Sequence, residues 1–215
     1  MKFAAVIYDM DGLLIDSEKY WLDSDTEFYR ARGVPCTPEL KAKMTGSSML
    51  EGATYLKETY GLTESVEELI AVRTAQTDKI YDISVPMPGA DALIQAVTKA
   101  GLSQAIASGS FLTRIEKIVD RFGWRDSMKA LVSSDHVNYV GKPKPDIFLY
   151  TAKQLGVDPS RCVVLEDGMN GIIAAKEAGM QCIGVVNEWS FGDHSRADLI
   201  VGTLEDPRVK SFIGI

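Results

Sequence analysis

Positive charge is scarce in this chain: 23 Lys and Arg stand against 30 Asp and Glu, a formal net charge of −7. That balance argues against a nucleic-acid backbone as the main partner, because such binding needs clustered cations, although a small anion can still be held locally. Long apolar runs are scarce as well. No stretch approaches the roughly 18 uncharged apolar residues of a membrane span. The N-terminal run Phe3-Ala4-Ala5-Val6-Ile7-Tyr8 is too short for the apolar region of a signal peptide, so a cytoplasmic protein with no membrane partner is expected. Cysteine is limited to Cys36, Cys162 and Cys182, an odd set without metal-ligand spacing, which reads as three reduced core residues. Low-complexity tracts and internal repeats are missing too. With 46% hydrophobic residues among 215, the chain can bury a substantial core without a staple, and nothing demands an obligate partner, so a monomer is expected.

What the chain does contain is a change of period. After the N-terminal strand, Ser17 is placed to cap a helix running to about Arg32, ended by Gly33 and Pro35. Three further helical segments follow, with capping boxes at Ser48-x-x-Glu51 and Ser65-x-x-Glu68. Pro86-Met87-Pro88-Gly89 closes this block as a stiff turn. From there helices and strands alternate: a helix near 90–100, a strand at 102–107, and a helix with Ile115, Ile118, Val119 and Phe122 at helical spacing. A strand at 130–133, a helix at 146–155, a strand at 162–165 and a helix with Ile172, Ala174, Ala175 and Ala178 come next, then strands at 182–186 and 199–201. Such alternation predicts an α/β fold, a Rossmann-like doubly wound parallel sheet built from residues 1–16 and 86–215, with a helical domain inserted at 17–85.

Residues able to do chemistry gather at the carboxyl ends of those strands, where α/β sheets bind ligands. Asp9 and Asp11 close the first strand, with Gly12 turning the chain away; Ser108-Gly109-Ser110, Ser133-Ser134-Asp135 and Glu166-Asp167-Gly168 close others. Each alone is also an ordinary turn or helix cap, but together on one edge they point to a single crevice. Carboxylates so close repel unless a cation intervenes, and an all-oxygen set without His or Cys suits Mg2+ better than zinc. Lys142, in Gly141-Lys142-Pro143-Lys144-Pro145-Asp146, sits in a loop stiffened by two prolines and can neutralise a carboxylate and a phosphoryl group together. Ser108 with the amides of Gly109 and Ser110 can form an anion cradle at a helix start. Trp189 and His194 read as surface residues.

The segments Asp9-Met10-Asp11-Gly12-Leu13-Leu14-Ile15-Asp16-Ser17, the Ser108 loop, Gly141-Lys142-Pro143-Lys144-Pro145-Asp146 and Glu166-Asp167-Gly168-Met169-Asn170-Gly171 resemble the four ordered motifs of the haloacid dehalogenase superfamily. More narrowly, they are similar to the branch with an α-helical cap domain between the first two motifs, which includes sugar-phosphate phosphatases and β-phosphoglucomutase. The resemblance implies a phosphomonoester hydrolase acting on a small phosphorylated metabolite, above all a sugar phosphate such as a hexose 6-phosphate. Asp9 would attack phosphorus and become an aspartyl-phosphate, while Asp11 would protonate the leaving alcohol and later activate water. Ser108 and Lys142 would hold the phosphoryl oxygens. Mg2+ would sit on Asp9, the carbonyl of Asp11 and Asp167, with Glu166 acting directly or through water. The acid at Asp11 argues against dehalogenation, which needs no leaving-group proton. Substrate contacts are expected from Trp21, Asp25, Thr45, Gly46, Ser47 and Ser48 in the cap, and from Gly109 and Ser110 in the core. Where mutases of that branch carry a His and an Arg, this chain has Trp21 and Met49, which favours hydrolysis over a phosphomutase; a non-catalytic phosphate-binding module is the third reading.

Overall fold

In the computed structural model, which describes residues 2–44, 47–190 and 192–215, the N-terminal apolar run forms β1 (Ala5–Tyr8), buried along its whole length. A strand apolar on both faces belongs in the middle of a parallel sheet. There β1 pairs with β2 (Ser103–Ser108) on one side and β4 (Cys162–Glu166) on the other. With β3 (Ala130–Ser133), β5 (Gln181–Val185) and β6 (Leu199–Val201) the parallel order is β3-β2-β1-β4-β5-β6. Successive residues point to opposite faces. Val6 and Tyr8, with Ile106 and Leu165, pack under α6 (Ala90–Lys99), α7 (Leu112–Arg121) and α10 (Pro207–Ile213). Ala5 and Ile7, with Ala107 and Val164, pack under α8 (Asp146–Leu155) and α9 (Met169–Glu177). The helices predicted over 90–100 and 146–155 are α6 and α8. The sequence reading missed α10, although Asp206 caps it and proline opens it.

Between β1 and α6 lie α1 (Glu18–Arg30), α2 (Pro38–Met44), α3 (Met49–Tyr60) and α4 (Val66–Thr77), which gather around their own apolar cluster of Phe28, Tyr29, Leu40, Leu56 and Leu69. Both expected capping boxes form. The start of α1 differs from expectation: Ser17 holds the cap position without a side-chain bond to the helix, and its hydroxyl donates to Asp11 Oδ1 at 2.9 Å instead. A carboxylate is the stronger acceptor partner for that hydroxyl. The short α5 (Ile80–Ile83), grouped with the insertion on sequence, places Ile80 and Tyr81 in the sheet-side core. Cys162 and Cys182 are buried in strands, whereas Cys36 is exposed, because it lies in the connection between α1 and α2. No helix among the described residues is long and apolar enough to cross a membrane.

Polar seams tie the helical layer to the sheet. Arg114 of α7 donates to Thr77 Oγ1 and Asp78 Oδ1 at the end of α4, both at 2.8 Å. Arg121 donates to the carbonyls of Tyr81 and Ser84 at 3.0 and 2.6 Å, and Ser48 Oγ donates to the carbonyl of Tyr139 at 2.6 Å.

The exit from β1 depends on Gly12, whose φ is +81°. A Cβ there would collide with the Asp167 carboxylate and lie 2.9 Å from Glu18 Cγ. Gly12→Ala should therefore cost about 1–3 kcal/mol of stability, measured as a lowered urea midpoint; a variant as stable as the parent would show that the turn tolerates an ordinary residue.

Candidate active site

The strand order reverses between β1 and β4, and in such sheets the ligand crevice opens at the carboxyl edge of that junction. Register decides which side chains meet there. Tyr8 lies opposite Ile106 and Leu165, and Asp9 N donates to the carbonyl of Leu165 at 3.0 Å, so Asp9 emerges beside Glu166. A cavity of about 130 Å³ at this edge is lined by Asp9, Asp11, Ser108, Lys142, Glu166 and Asp167, along with Gly109 and Ser110.

At its floor the Lys142 ammonium bridges two strands. Nζ donates to Asp9 Oδ1 at 2.6 Å and to Glu166 Oε1, with the Lys142 side chain 2% exposed. Glu166 Oε2 accepts from the amide of Gly168 at 3.0 Å. Gly171 on α9 is needed behind it, since a Cβ there would run into the Glu166 carboxylate. Oxygens of Asp9, Glu166 and Asp167 all lie within 4.8 Å of one another. Burial pushes the Asp9 carboxyl up to about 8 against the pull of Lys142, with the charges of Glu166 and Asp11 adding to the rise. Burial, then Glu166 and Asp9, push Asp167 well above the usual carboxylate range. For Lys142, burial opposes the charge, yet Asp9 and Glu166 hold its pKa above the ordinary value. One ammonium thus serves three buried carboxyl groups. An all-oxygen set with too little positive charge fits a hard divalent cation, so Asp9, Glu166 and Asp167 are the residues able to hold one. His194, expected at the surface, is half-buried, with Nε2 3.1 Å from the main-chain oxygen of Asp167.

The Asp11 carboxylate lies outside that trio. Ser17 Oγ and Trp21 Nε1 donate to its Oδ1 at 2.9 and 3.3 Å, and Ser110 Oγ and Tyr81 OH donate to Oδ2 at 2.8 and 3.4 Å. The Tyr81 hydroxyl also lies 2.8 Å from Ser110 Oγ. Three of these donors come from the helical layer and its edges, and one from the loop after β2.

Other expected contacts divide. Trp21, Asp25 and Ser47 line the cavity, as does Met49. Trp21 carries its indole N–H to Asp11. The Ser47 hydroxyl donates to the carbonyl of Lys43 at 2.9 Å. Ser48 does not reach the cavity: it is 1% exposed, and its hydroxyl serves its own capping box and Tyr139. Thr45 and Gly46 lie outside the described residues. The anion cradle is narrower than expected, because the Ser110 amide donates to Ser108 Oγ at 3.1 Å. Ser133-Ser134-Asp135 stays off the cavity wall; Ser134 Oγ donates to the carbonyl of Gly109 at 3.1 Å and supports the loop from behind. Sequence reasoning missed Glu18, Lys41, Arg73 and Arg114, all of which line the cavity. Burial pushes the Glu18 carboxyl up to about 7, opposed by Lys41. A signal existed for Arg114, which shares the buried spacing of Ile115, Ile118 and Val119 on α7; Arg73 and Lys41 read as ordinary solvated charges.

Comparison with known proteins shows the family. A family model for haloacid dehalogenase-like hydrolases matches residues 3–179. The chain is 33% identical to hexitol phosphatase B of Escherichia coli strain K12 over 98% of its own length and 96% of that protein's. It is 32% identical to the putative phosphatase YhcW of Bacillus subtilis strain 168, over 86% of this chain and 84% of that one. The crystal structure of a β-phosphoglucomutase from Clostridium difficile superposes with a TM-score of 0.83 at 22% identity, covering 98% of this chain and 95% of that one, a likeness of fold.

Removing the bridging ammonium should leave buried carboxylates without their counter-charge. Lys142→Met is expected to lose about 3–5 kcal/mol in chemical denaturation, and adding Glu166→Gln should restore part of it. A loss near zero for the single variant would refute the bridge.

Proposed function

The chain belongs to the haloacid dehalogenase-like hydrolases and is one of their phosphatases; on that premise we propose that it hydrolyses the monoester of a small phosphorylated metabolite, a sugar phosphate, with Mg2+ and through an aspartyl-phosphate at Asp9. The observation that carries this reading is the convergence of Asp9, Lys142, Glu166 and Asp167 on one buried edge, with Asp11 two residues from Asp9.

In the proposed sequence an Asp9 oxygen attacks phosphorus in line with the ester oxygen. The bond to the leaving alcohol breaks as Asp11 delivers a proton to that oxygen. Water then attacks the aspartyl-phosphate, Asp11 takes its proton, and inorganic phosphate leaves with Asp9 restored. A carboxylate nucleophile splits one difficult displacement into two, and a carboxyl held by several hydrogen bonds can serve both proton transfers. Lys142, the Ser108 hydroxyl and the Gly109 amide are placed to hold phosphoryl oxygens. A Mg2+ ion on Asp9, Glu166 and Asp167 would offset charge on the transferring group. The helical layer at 17–85 acts as a cap, since Trp21, Met49 and Arg73 line the same cavity as Asp9. Trp21 and Met49 bring no cation to that cavity, and the cations that do line its far end, Lys41, Arg73 and Arg114, are each paired with a carboxylate, which supports hydrolysis over phosphoryl return.

A panel of sugar and sugar-alcohol phosphates assayed for phosphate release tests the reading. Asp9→Asn, still folded by circular dichroism, should lose at least about 10^3-fold in kcat, and chelation should silence activity that Mg2+ restores. Full turnover after exhaustive chelation would remove the metal from the proposal, and an active Asp9→Asn would remove the nucleophile.

A further inference from the structure

The end of the cavity away from Lys142 is built from ion pairs. Lys41 Nζ lies 3.8 Å from Glu18 Oε2, Arg73 Nη2 2.5 Å from Asp25 Oδ1, and Arg114 Nη2 2.8 Å from Asp78 Oδ1. Each cation therefore has a matching carboxylate. Yet Nη1 of Arg73 and Nη1 of Arg114 are buried without a hydrogen-bond partner, a costly state for a charged donor. Their side chains are 11% and 4% exposed. Both guanidiniums lie over the Trp21 ring, at 5.5 and 5.9 Å from its centroid. The same ring meets Tyr81 edge-on at 6.3 Å.

We infer that Arg73 and Arg114, flanking Trp21, form a subsite for the uncharged hydroxyl groups of the substrate's remote end, so that the enzyme selects monophosphates of neutral polyols over substrates carrying a second anion. This rests on the phosphatase reading above. The two Nη1 groups lack acceptors, while Asp25 Oδ1 on the same wall, beyond its ion pair with Arg73, is buried without a hydrogen-bond donor, and a hydroxyl can both accept and donate. A remote phosphate or carboxylate brings acceptors alone and would face Glu18 and Asp25 with like charge, beside cations that are already paired, Arg114 by Asp78 from outside the cavity. Because Trp21 is engaged by two guanidiniums, Tyr81 and Asp11, recognition runs through hydroxyl positions rather than ring stacking, which suits open-chain as well as cyclic polyols.

The test compares kcat/KM with Mg2+ for a hexitol 6-phosphate, phosphoglycolate, a hexose bisphosphate and an aryl phosphate. The parent enzyme should favour the hexitol phosphate over phosphoglycolate and the bisphosphate by about 10-fold or more, the scale of one hydrogen bond to a charged group. Arg73→Met and Arg114→Met should each lower the ratio of hexitol to aryl phosphate by about the same factor. Arg73 makes no bond to α7, so its variant reports on the subsite even where Arg114→Met loosens the seam to α4. Asp78→Asn strips Arg114 of its matching charge from outside the cavity and should raise phosphoglycolate relative to the hexitol phosphate, a shift that a merely structural role would not produce. Unmoved ratios in both Arg variants, or a parent preference for the bisphosphate or phosphoglycolate, would overturn the subsite while leaving the phosphatase standing. A parent enzyme that cleaves none of the four would instead bring down the phosphatase reading and the subsite with it.

Discussion

A buried ammonium set between two strands is the constraint on which the rest of the site depends. Parallel pairing of β1 with β4 places Asp9 beside Glu166 whatever the side chains prefer, and neither carboxylate can stay there uncompensated. Lys142 reaches them from the loop before α8, which fixes how that loop must run over the edge of the sheet. Space follows charge: Gly12 and Gly171 stand where any side chain would meet the carboxyl groups of Asp167 and Glu166. Since one ammonium cannot match three buried acids, the same geometry that organises the edge also leaves it short of positive charge, and a divalent ion is the simplest remedy.

Asp11 plays a different part. Two residues beyond Asp9, its carboxylate is the point where the helical layer and the sheet share hydrogen bonds, with Ser17, Trp21 and Tyr81 on one side and Ser110 on the other. The position of the proposed proton carrier is therefore set jointly by both layers. Any relative movement of helices and sheet has to break or remake bonds to this one group, so the seams at Arg114 and Arg121 bear on proton transfer without touching the reacting atoms.

The sheet and the proximal site were legible because their signals are local in sequence. A six-residue apolar run ending in two acids, regular strand–helix alternation and a lysine between prolines each follow from a few adjacent residues. The distal wall was not legible for the opposite reason. Arg73 on α4, Arg114 on α7 and Lys41 on α2 meet only through tertiary packing, and a cation on an amphipathic helix looks the same whether it faces water or a cavity. Hydroxyl partners were hard to read for a related reason: Ser17, expected to cap α1, bonds to Asp11, while Ser48 and Ser110 find the carbonyl of Tyr139 and the carboxylate of Asp11, acceptors that only the folded chain brings near.

Charge in the cavity is divided along its length, and the division separates the two ends of a substrate. Six carboxyl groups and four basic side chains among the described residues line the wall. The acidic excess belongs to the proximal end, where Asp9, Asp11, Glu166 and Asp167 have Lys142 alone among them. At the distal end Lys41 and Arg73 pair with Glu18 and Asp25 on the wall, and Arg114 pairs with Asp78 from outside it. An end with unmatched acids draws a metal ion and, through it and Lys142, an anion such as a phosphoryl group. A matched end offers no net field to a second charge, but it keeps directional donors and acceptors, and these discriminate by hydrogen-bond geometry. A molecule with one charged terminus and a hydroxylated remainder therefore has only one favourable orientation in this cavity, phosphate towards β1 and hydroxyls towards α4 and α7. That orientation brings the ester bond to Asp9.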